Sequence, residues 1–408
     1  MAKKEKEVSK VDDIFSQLIT EQNNLFTGAA ASGADMFSDV KMYISTGSAI
    51  FDTVISNKEV GGWPCGRIVE VFGEEAIGKS TLAFQAMANC QKMGGIPIYF
   101  DVEQAGSREM MKACGVDLNR LIISGLTSIE EVFGAMEQNL TTIINNKAYK
   151  DKPIFIVIDS LAQMTTDAEV EADYDNNMML NTLKAKQIGK ALRKISPFLR
   201  KANACLYIVN QTRSKIGVMF GDPTTTTSGK ALPFAASLRI KLLGKSPVVI
   251  PDPFVEQEWE KMLKQYEFEV KEWQERGKLG SKPEKPKKPK GDEVIIGYQV
   301  TARTEKNKIG PPKREAEFTI IFSQGIMEED AWLDYGVKYN VIRQLSSTEF
   351  EFINHPEVGK FKRKEFKGIL ADVELHDEIK KELVSKLVRA PLATEINDEE
   401  EEEELTEN

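Results

Sequence analysis

The chain has 408 residues, 41% of them hydrophobic and 29% charged, which is ordinary for a globular protein and too long for one compact core, so about two or three domains are expected. No apolar run approaches the ~18 residues of a membrane span, and the opening "MAKKEKEVSK" is charged with no apolar segment behind it. A secretory signal and a membrane partner are therefore not expected, and the location read from the sequence is cytoplasmic.

The net charge of −9 is not spread along the chain. Nine acids and no base lie between Glu395 and Asn408, and removing them from the 63 acids leaves a body balanced against 54 lysines and arginines. Four cysteines (Cys65, Cys90, Cys114, Cys205) are scattered with no C-x-x-C pair, so they read as buried reduced thiols and not as a zinc site or disulfide framework. The two histidines, His355 and His376, both lie late in the chain. A Ser-His-Asp or Cys-His mechanism is excluded from everything before them, where proton transfer must use carboxylates, lysines or water.

In chain order, residues 1–37 form a lead-in. Val11, Ile14, Phe15, Leu18 and Ile19 recur at helical spacing before "TGAAASGAD" breaks the pattern, so a short amphipathic helix on a linker is expected, packed on its own body or on a neighbour. Residues 38–327 form the core. Up to about 245, β-rich runs ("RIVEVF", "GIPIYFD", "RLIIS", "PIFIVIDS", "ACLYIVNQ") alternate with helical ones, the βαβ pattern of a largely parallel sheet covered on both faces. The pattern then becomes strand-rich.

Residues 251–291 interrupt it. Val255, Trp259, Met262, Leu263, Tyr266, Val270 and Trp273 make one helical stripe, and "SKPEKPKKPKG" behind it predicts an extended basic linker, the two together an exposed insertion on a hairpin. Residues 328–390 read as a small C-terminal unit, and 391–408 as a disordered acidic tail, either solubilising or competing with nucleic acid for a basic groove.

The chemistry starts at Gly73-Glu74-Glu75-Ala76-Ile77-Gly78-Lys79-Ser80-Thr81, a G-x-x-x-x-G-K-[ST] loop between a strand and a helix. The glycines let backbone N–H groups wrap phosphates, Lys79 neutralises the β and γ oxygens, Ser80 holds magnesium, and Thr81 sits at an anion-favouring helix start. "PIFIVIDS" ends a strand in Asp159, placed to orient magnesium. Asp101 and Glu103 end the strand after the first helix, with Glu103 the candidate to orient or deprotonate water. "LYIVNQTRSK" ends in Asn210 and Gln211, an amide able to sense a γ-phosphate. The loop behind it carries Arg213, Lys215, Ile216, Met219 and Phe220 among Gly, Thr and Ser, which suits phosphates and bases of single-stranded nucleic acid.

Together, "ISTGSAIFD", "GRIVEVFGEEAIGKSTL", "NQTRSKIGVMFGDPTTTTSGKAL" and "EKNKIGPPKREAEF" resemble the bacterial RecA recombinases over most of the chain, about 40–245 and 294–390. The resemblance implies an α/β fold: a P-loop ATPase core with a mostly parallel central sheet, an N-terminal helix that docks on the adjacent protomer, and a small α+β C-terminal domain. It implies ATP and Mg2+, a helical homo-oligomeric filament on single-stranded DNA, and pairing with homologous double-stranded DNA in recombination and repair. It leaves room for loader or single-strand-binding proteins as further partners.

It makes Glu103 the catalytic carboxylate and Gln211 the γ-phosphate sensor, leading into a second DNA loop at about Thr212–Gly229 that includes Gly217, Ser228 and Gly229. A first DNA loop corresponds to about Glu171–Lys184, with Met179 and Lys184, and Arg193 and Arg213 match DNA-contacting positions. Lys306 and Lys308 match lysines that reach the neighbour's ATP. There are three departures: Met110 stands where an aromatic usually covers adenine, the first loop carries a short insertion, and 251–291 has no counterpart in typical members. These fit a phage-encoded or otherwise divergent member. A ring-forming hexameric motor or helicase shares the phosphate loop but gives "KIGVMFG" and "KNK" no role. A non-catalytic DNA scaffold is the third reading.

Overall fold

The computed structural model describes residues 14, 16–24, 40–171, 178–214, 224–226, 231–288, 293–322 and 324–388. The chain divides into residues 1–41, where a helix covers 16–24, and a compact unit of Met42–Asn408.

In the second unit, β1 (Tyr43–Ile44), α1 (Ala49–Ser56) and β2 (Trp63–Pro64) precede β3 (Ile68–Gly73), α2 (Lys79–Lys92), β4 (Ile96–Asp101), α3 (Arg108–Ala113), β5 (Ile122–Ser124), α4 (Ile129–Ile144), β6 (Ile154–Asp159), α5 (Asp167–Glu171), α6 (Met178–Lys201) and β7 (Ala204–Ser214). There follow β8 (Thr224–Thr226), α7 (Ala231–Ala235), β9 (Leu238–Pro251), α8 (Pro253–Glu275), β10 (Glu293–Asn307), β11 (Glu315–Ile321) and β12 (Gly325–Met327). The C-terminal stretch holds α9 (Glu329–Lys338), β13 (Ile342–Gln344), β14 (Glu349–Phe352), β15 (Lys360–Lys362), α10 (Phe366–Ile369) and α11 (Val373–Leu387).

The central sheet runs β12-β11-β10-β9-β3-β7-β6-β4-β5; the strands from β9 to β5 are parallel and β10 to β12 antiparallel. The inner strands β3, β4 and β6 are largely apolar on both faces because both are covered. On β6, Phe155 and Val157 join the core packed under α1 and α2, while Ile154, Ile156 and Ile158 join the core under α4 and α6. The register aligns Asp101 with Asp159 and Gly73 with Gln211, which brings four candidate site positions to one edge of the sheet. Ligands bind at that carboxyl edge in such sheets.

The C-terminal stretch is stapled to the core at both ends of α1. Glu328 accepts from Ser48 Oγ, the N-cap hydroxyl, at 2.7 Å. Buried Arg314 donates to Thr53 O (3.3 Å) and Asn57 Oδ1 (2.8 Å) at the other end, and to Leu387 O (2.8 Å) at the end of α11. A carboxylate at a helix start and a cation at two helix ends both oppose the helix dipoles. Arg314→Ala removes all three of these hydrogen bonds from a buried cation, so a loss of about 3 kcal/mol is expected from thermal or urea unfolding.

Asp52 on α1 accepts from Ser45 Oγ (2.6 Å) and Thr46 N–H (2.7 Å), yet burial outweighs these bonds and pushes its carboxyl up to about 7. A carboxyl raised on folding holds its proton in the native state and releases it in the unfolded one. Stability is therefore greatest below the unfolded value near 4 and falls as pH rises towards 7. Asp52→Asn is expected to flatten this decline in melting curves taken between pH 4 and 8; an unchanged slope would show that Asp52 is not its source.

The structure adds detail to three expectations. The described residues of the first proposed DNA loop, 171 and 178–184, are helical: α6 begins at Met178, so Met179 and Lys184 lie on it, because "MMLNTLKAKQIG" continues the apolar period of the helix behind it. The second loop is in part a hairpin, with β8 pairing antiparallel to β7 from Thr212↔Thr226 to Ser214↔Thr224.

The basic linker is extended but not free. Trp273 Nε1 donates to Gly280 O at 3.1 Å, and Lys288 pairs with Glu256 near the start of α8. Glu256 to Trp273 rises about 25 Å as helix, and Gly280 to Lys288 spans about 25 Å at polyproline pitch, so the segment returns along α8. Pro283 and Pro286 are half-buried while Lys282, Lys285, Lys287 and Lys288 are exposed. The insertion is thus a self-contained arm from which α8 buries nothing in the main core. Pro251 and Glu293 are register partners at its base. Deleting 252–290 leaves Gly291-Asp292, a two-residue hairpin turn, and is expected to keep ATPase activity on single strands nearly intact; loss of folding would make the arm part of the core.

Candidate nucleotide and DNA site

The loop from Gly73 to Thr81 leaves β3 and enters α2. Gly78 has φ 96°, and a Cβ there would meet Ile320 Cδ1 at 2.6 Å, so only glycine fits. Ile77 is buried in the core and anchors the loop, while Glu74, Glu75 and Ala76 face solvent. The backbone donors at the start of α2 and the buried Lys79 ammonium make a site for an anion. Lys79 Nζ donates to Gly73 O at 3.2 Å and to Glu74 O. Burial lowers its pKa, with Asp159, Glu103, Glu75 and Glu74 opposing.

Ser80 Oγ donates to Asp159 Oδ2 at 2.6 Å. Tyr99 OH donates to the same oxygen at 3.1 Å, and burial raises the Asp159 pKa. The pair fits magnesium: an oxygen-only set beside a phosphate loop is what this hard ion takes, with waters and phosphate completing it. Among the described residues no cluster of three or more His, Cys, Asp and Glu side chains offers another metal site.

Glu103 stands exposed at the turn after β4, held by bonds from Val102 N–H and Glu103 N–H to Asp159 O (2.9 and 3.2 Å) and by donation from Ser160 Oγ. Asp101 instead accepts from Ala105 N–H (3.2 Å) and Gly106 N–H (3.0 Å), shaping the path to α3. A cleft of about 360 Å³ joins these groups, lined by Lys79, Thr81, Tyr99, Glu103, Met110, Asp159 and Phe322. Gln211 lies beside Gly73 on the adjacent strand.

The sequence reading missed Tyr99, Ser160 and Tyr207, whose hydroxyl donates to Lys79 O at 3.0 Å. Ser160 was visible as the residue after Asp159. The tyrosines look like any aromatic on a buried strand.

Lys306 and Lys308 are not at this cleft. Asn307 is the register partner of Leu238, whereas Gly73 pairs with Leu242, so they lie roughly 13 Å nearer the opposite end of the strands. Lys306 Nζ donates to Pro233 O (2.7 Å) and Phe234 O (3.1 Å), and burial, Lys308 and Arg239 lower its pKa. Arg193 is exposed on α6, and Lys184 Nζ donates to Ala162 O at 3.4 Å. Lys215, Ile216, Gly217, Met219, Phe220, Ser228 and Gly229 lie outside the described residues. So do the side chains of Met179 and Arg213, and the acidic tail.

The RecA N-terminal domain matches residues 27–258. Protein RecA of Borrelia hermsii is 33% identical over 340 residues, covering 83% of this chain and 80% of that one. Protein RecA of Bacteroides thetaiotaomicron is 34% identical over 315 residues (77% and 79%), and that of Wolinella succinogenes 31% over 366 (90% and 89%). The chain belongs to the RecA family. As a member of that family it is a recombinase of DNA recombination and repair and a DNA-dependent ATPase, and nothing favours a hexameric helicase. No helix among the described residues is long and apolar enough to cross a membrane. The stretch matching the RecA N-terminal domain stops within α8, near the start of the arm.

Proposed function

We propose that the protein assembles head to tail on single-stranded DNA as an ATP-bound filament and exchanges homologous strands with a duplex. The observation that carries this is the position of Lys306 and Lys308 away from their own phosphate loop. If both surfaces grip one nucleotide, it must lie between two copies, and a repeated heterologous contact of that kind builds a filament unless its rotation closes into a ring.

At each interface the loop N–H groups and Lys79 hold the β- and γ-phosphates, and Met110 covers the base. Ser80 and Asp159 hold magnesium, which supplies neutralisation of phosphate charge when bound. Glu103, fixed by Ser160 and the Asp159 carbonyl, orients and deprotonates the attacking water. Gln211 donates to the γ-phosphate, and because it lies on β7, the strand that opens into the β7–β8 hairpin, its setting bears on the loop that grips DNA. Met179, Lys184, Arg193, Arg213 and the loop residues up to Gly229 contact DNA. ATP favours the DNA-bound filament and hydrolysis releases it, which requires unequal affinity for the two states.

Strand exchange between a single-stranded circle and a homologous linear duplex, with and without ATP, tests the reading. Joint molecules that depend on ATP support it; ATPase activity with no joint molecules, or closed hexamers on DNA in electron micrographs, overturns it. Loader and single-strand-binding proteins are further partners to seek by their effect on the lag before exchange.

A further inference from the structure

A line of polar side chains crosses the otherwise apolar sheet between the sensor strand and the strand that leads to Lys308. Glu70 on β3 is fully buried; it accepts from Asn210 Nδ2 on β7 at 2.9 Å and from Arg239 Nε on β9 at 2.5 Å. Asn210 Oδ1 accepts from Gln211 N–H at 3.0 Å. The Arg239 guanidinium lies 4.7 Å from the centroid of Phe72, two residues beyond Glu70 on the same face. In register, Glu70 stands beside Arg239 and Arg239 beside Lys306. Four adjacent strands thus contribute one residue each to a line about 14 Å long.

Stability alone does not account for this line. Well-packed apolar residues hold a sheet at least as well as a buried ion pair, whereas removing one partner leaves a charge stranded. A fully paired polar network in a low-dielectric layer is also stiff: moving one member costs the others their bonds.

We infer that Asn210, Glu70 and Arg239 form a relay that carries the setting of Gln211 to the face bearing Lys306 and Lys308, so that nucleotide occupancy in one copy governs how that copy completes its neighbour's site. The inference rests on the proposed reading of Lys306 and Lys308 as residues acting on the adjacent copy. The three relay residues are positioning residues: none of them lines the nucleotide cleft. Their effect is on coupling between successive sites, the quantity reported by the Hill coefficient for ATP.

The test is the ATP dependence of DNA-stimulated hydrolysis by the full-length protein and by Glu70→Gln and Arg239→Lys. Glu70→Gln keeps the shape of the side chain and removes its charge; Arg239→Lys keeps charge and loses the Nε bond and the stack. The expected result is a Hill coefficient falling towards unity in both, with the rate at saturating ATP largely kept, a split that a loss of folding does not produce. If Glu70→Gln does not fold, Arg239→Lys decides. A wild-type coefficient of unity, or one unchanged in the folded variants, overturns the relay. Failure of the underlying reading looks different: mixtures of Lys79→Ala and Lys306→Ala proteins recover no activity, whereas failure of the relay alone leaves that recovery intact.

Discussion

Glu103→Gln is expected to lower ATP turnover by ~10²–10⁴-fold, the range lost with a general base, while nucleotide and single-stranded DNA binding persist. Glutamine keeps the length of the side chain and can accept from Ser160 Oγ, and the backbone bonds to Asp159 O do not involve the side chain at all. The loop around position 103 is therefore preserved and only the base is lost. No histidine competes for the role, since both lie beyond residue 350. Asp101 cannot substitute without giving up two backbone N–H bonds. Hydrolysis measured with saturating DNA, alongside binding of a non-hydrolysable nucleotide, checks this. Turnover within a few-fold of wild type in Glu103→Gln would favour the scaffold reading, or a base elsewhere.

The second large effect concerns who completes the site. Lys79→Ala and Lys306→Ala are each expected to abolish DNA-stimulated hydrolysis, and mixing the two proteins to restore part of it. In a mixture, some interfaces combine an intact phosphate loop from one variant with an intact Lys306 from the other. Recovery is possible only if the two lysines act on one nucleotide from different copies. The separation along the strands argues that they do, since no side-chain rotation in one copy spans both the roughly 13 Å offset and two intervening strand spacings. ATPase activity measured across mixing ratios checks this, and a flat baseline at every ratio counts against sharing.

Much of this machine is legible without a structure. The phosphate loop, Asp159, Glu103 and Gln211 each come at the end of a short apolar run, and runs of that kind announce themselves because both faces of the strand are buried. The arm shows how far such reading goes. Its tryptophan stripe predicts a helix, and its prolines exclude one behind it. Only the pairing of Lys288 with Glu256 and of Trp273 with Gly280 reveals that the second piece lies back on the first. In the segment matched to the first DNA loop, the helix that begins at Met178 is likewise visible only in the structure.

By itself, the sequence determined that this protein handles phosphate on a parallel α/β sheet, with no histidine in the chemistry and its excess negative charge in the tail. These are local properties: strand period, a glycine-lysine spacing, a count. The tertiary structure decided what depends on register. It sets Gln211 beside Gly73, Ser80 on Asp159 and Glu103 on Ser160. It also puts Lys306 towards the far end of the strands and lines up Glu70, Asn210 and Arg239 between the two ends. In one dimension Glu70 is a stray charge in an apolar strand. It acquires partners only when strands distant in sequence become neighbours.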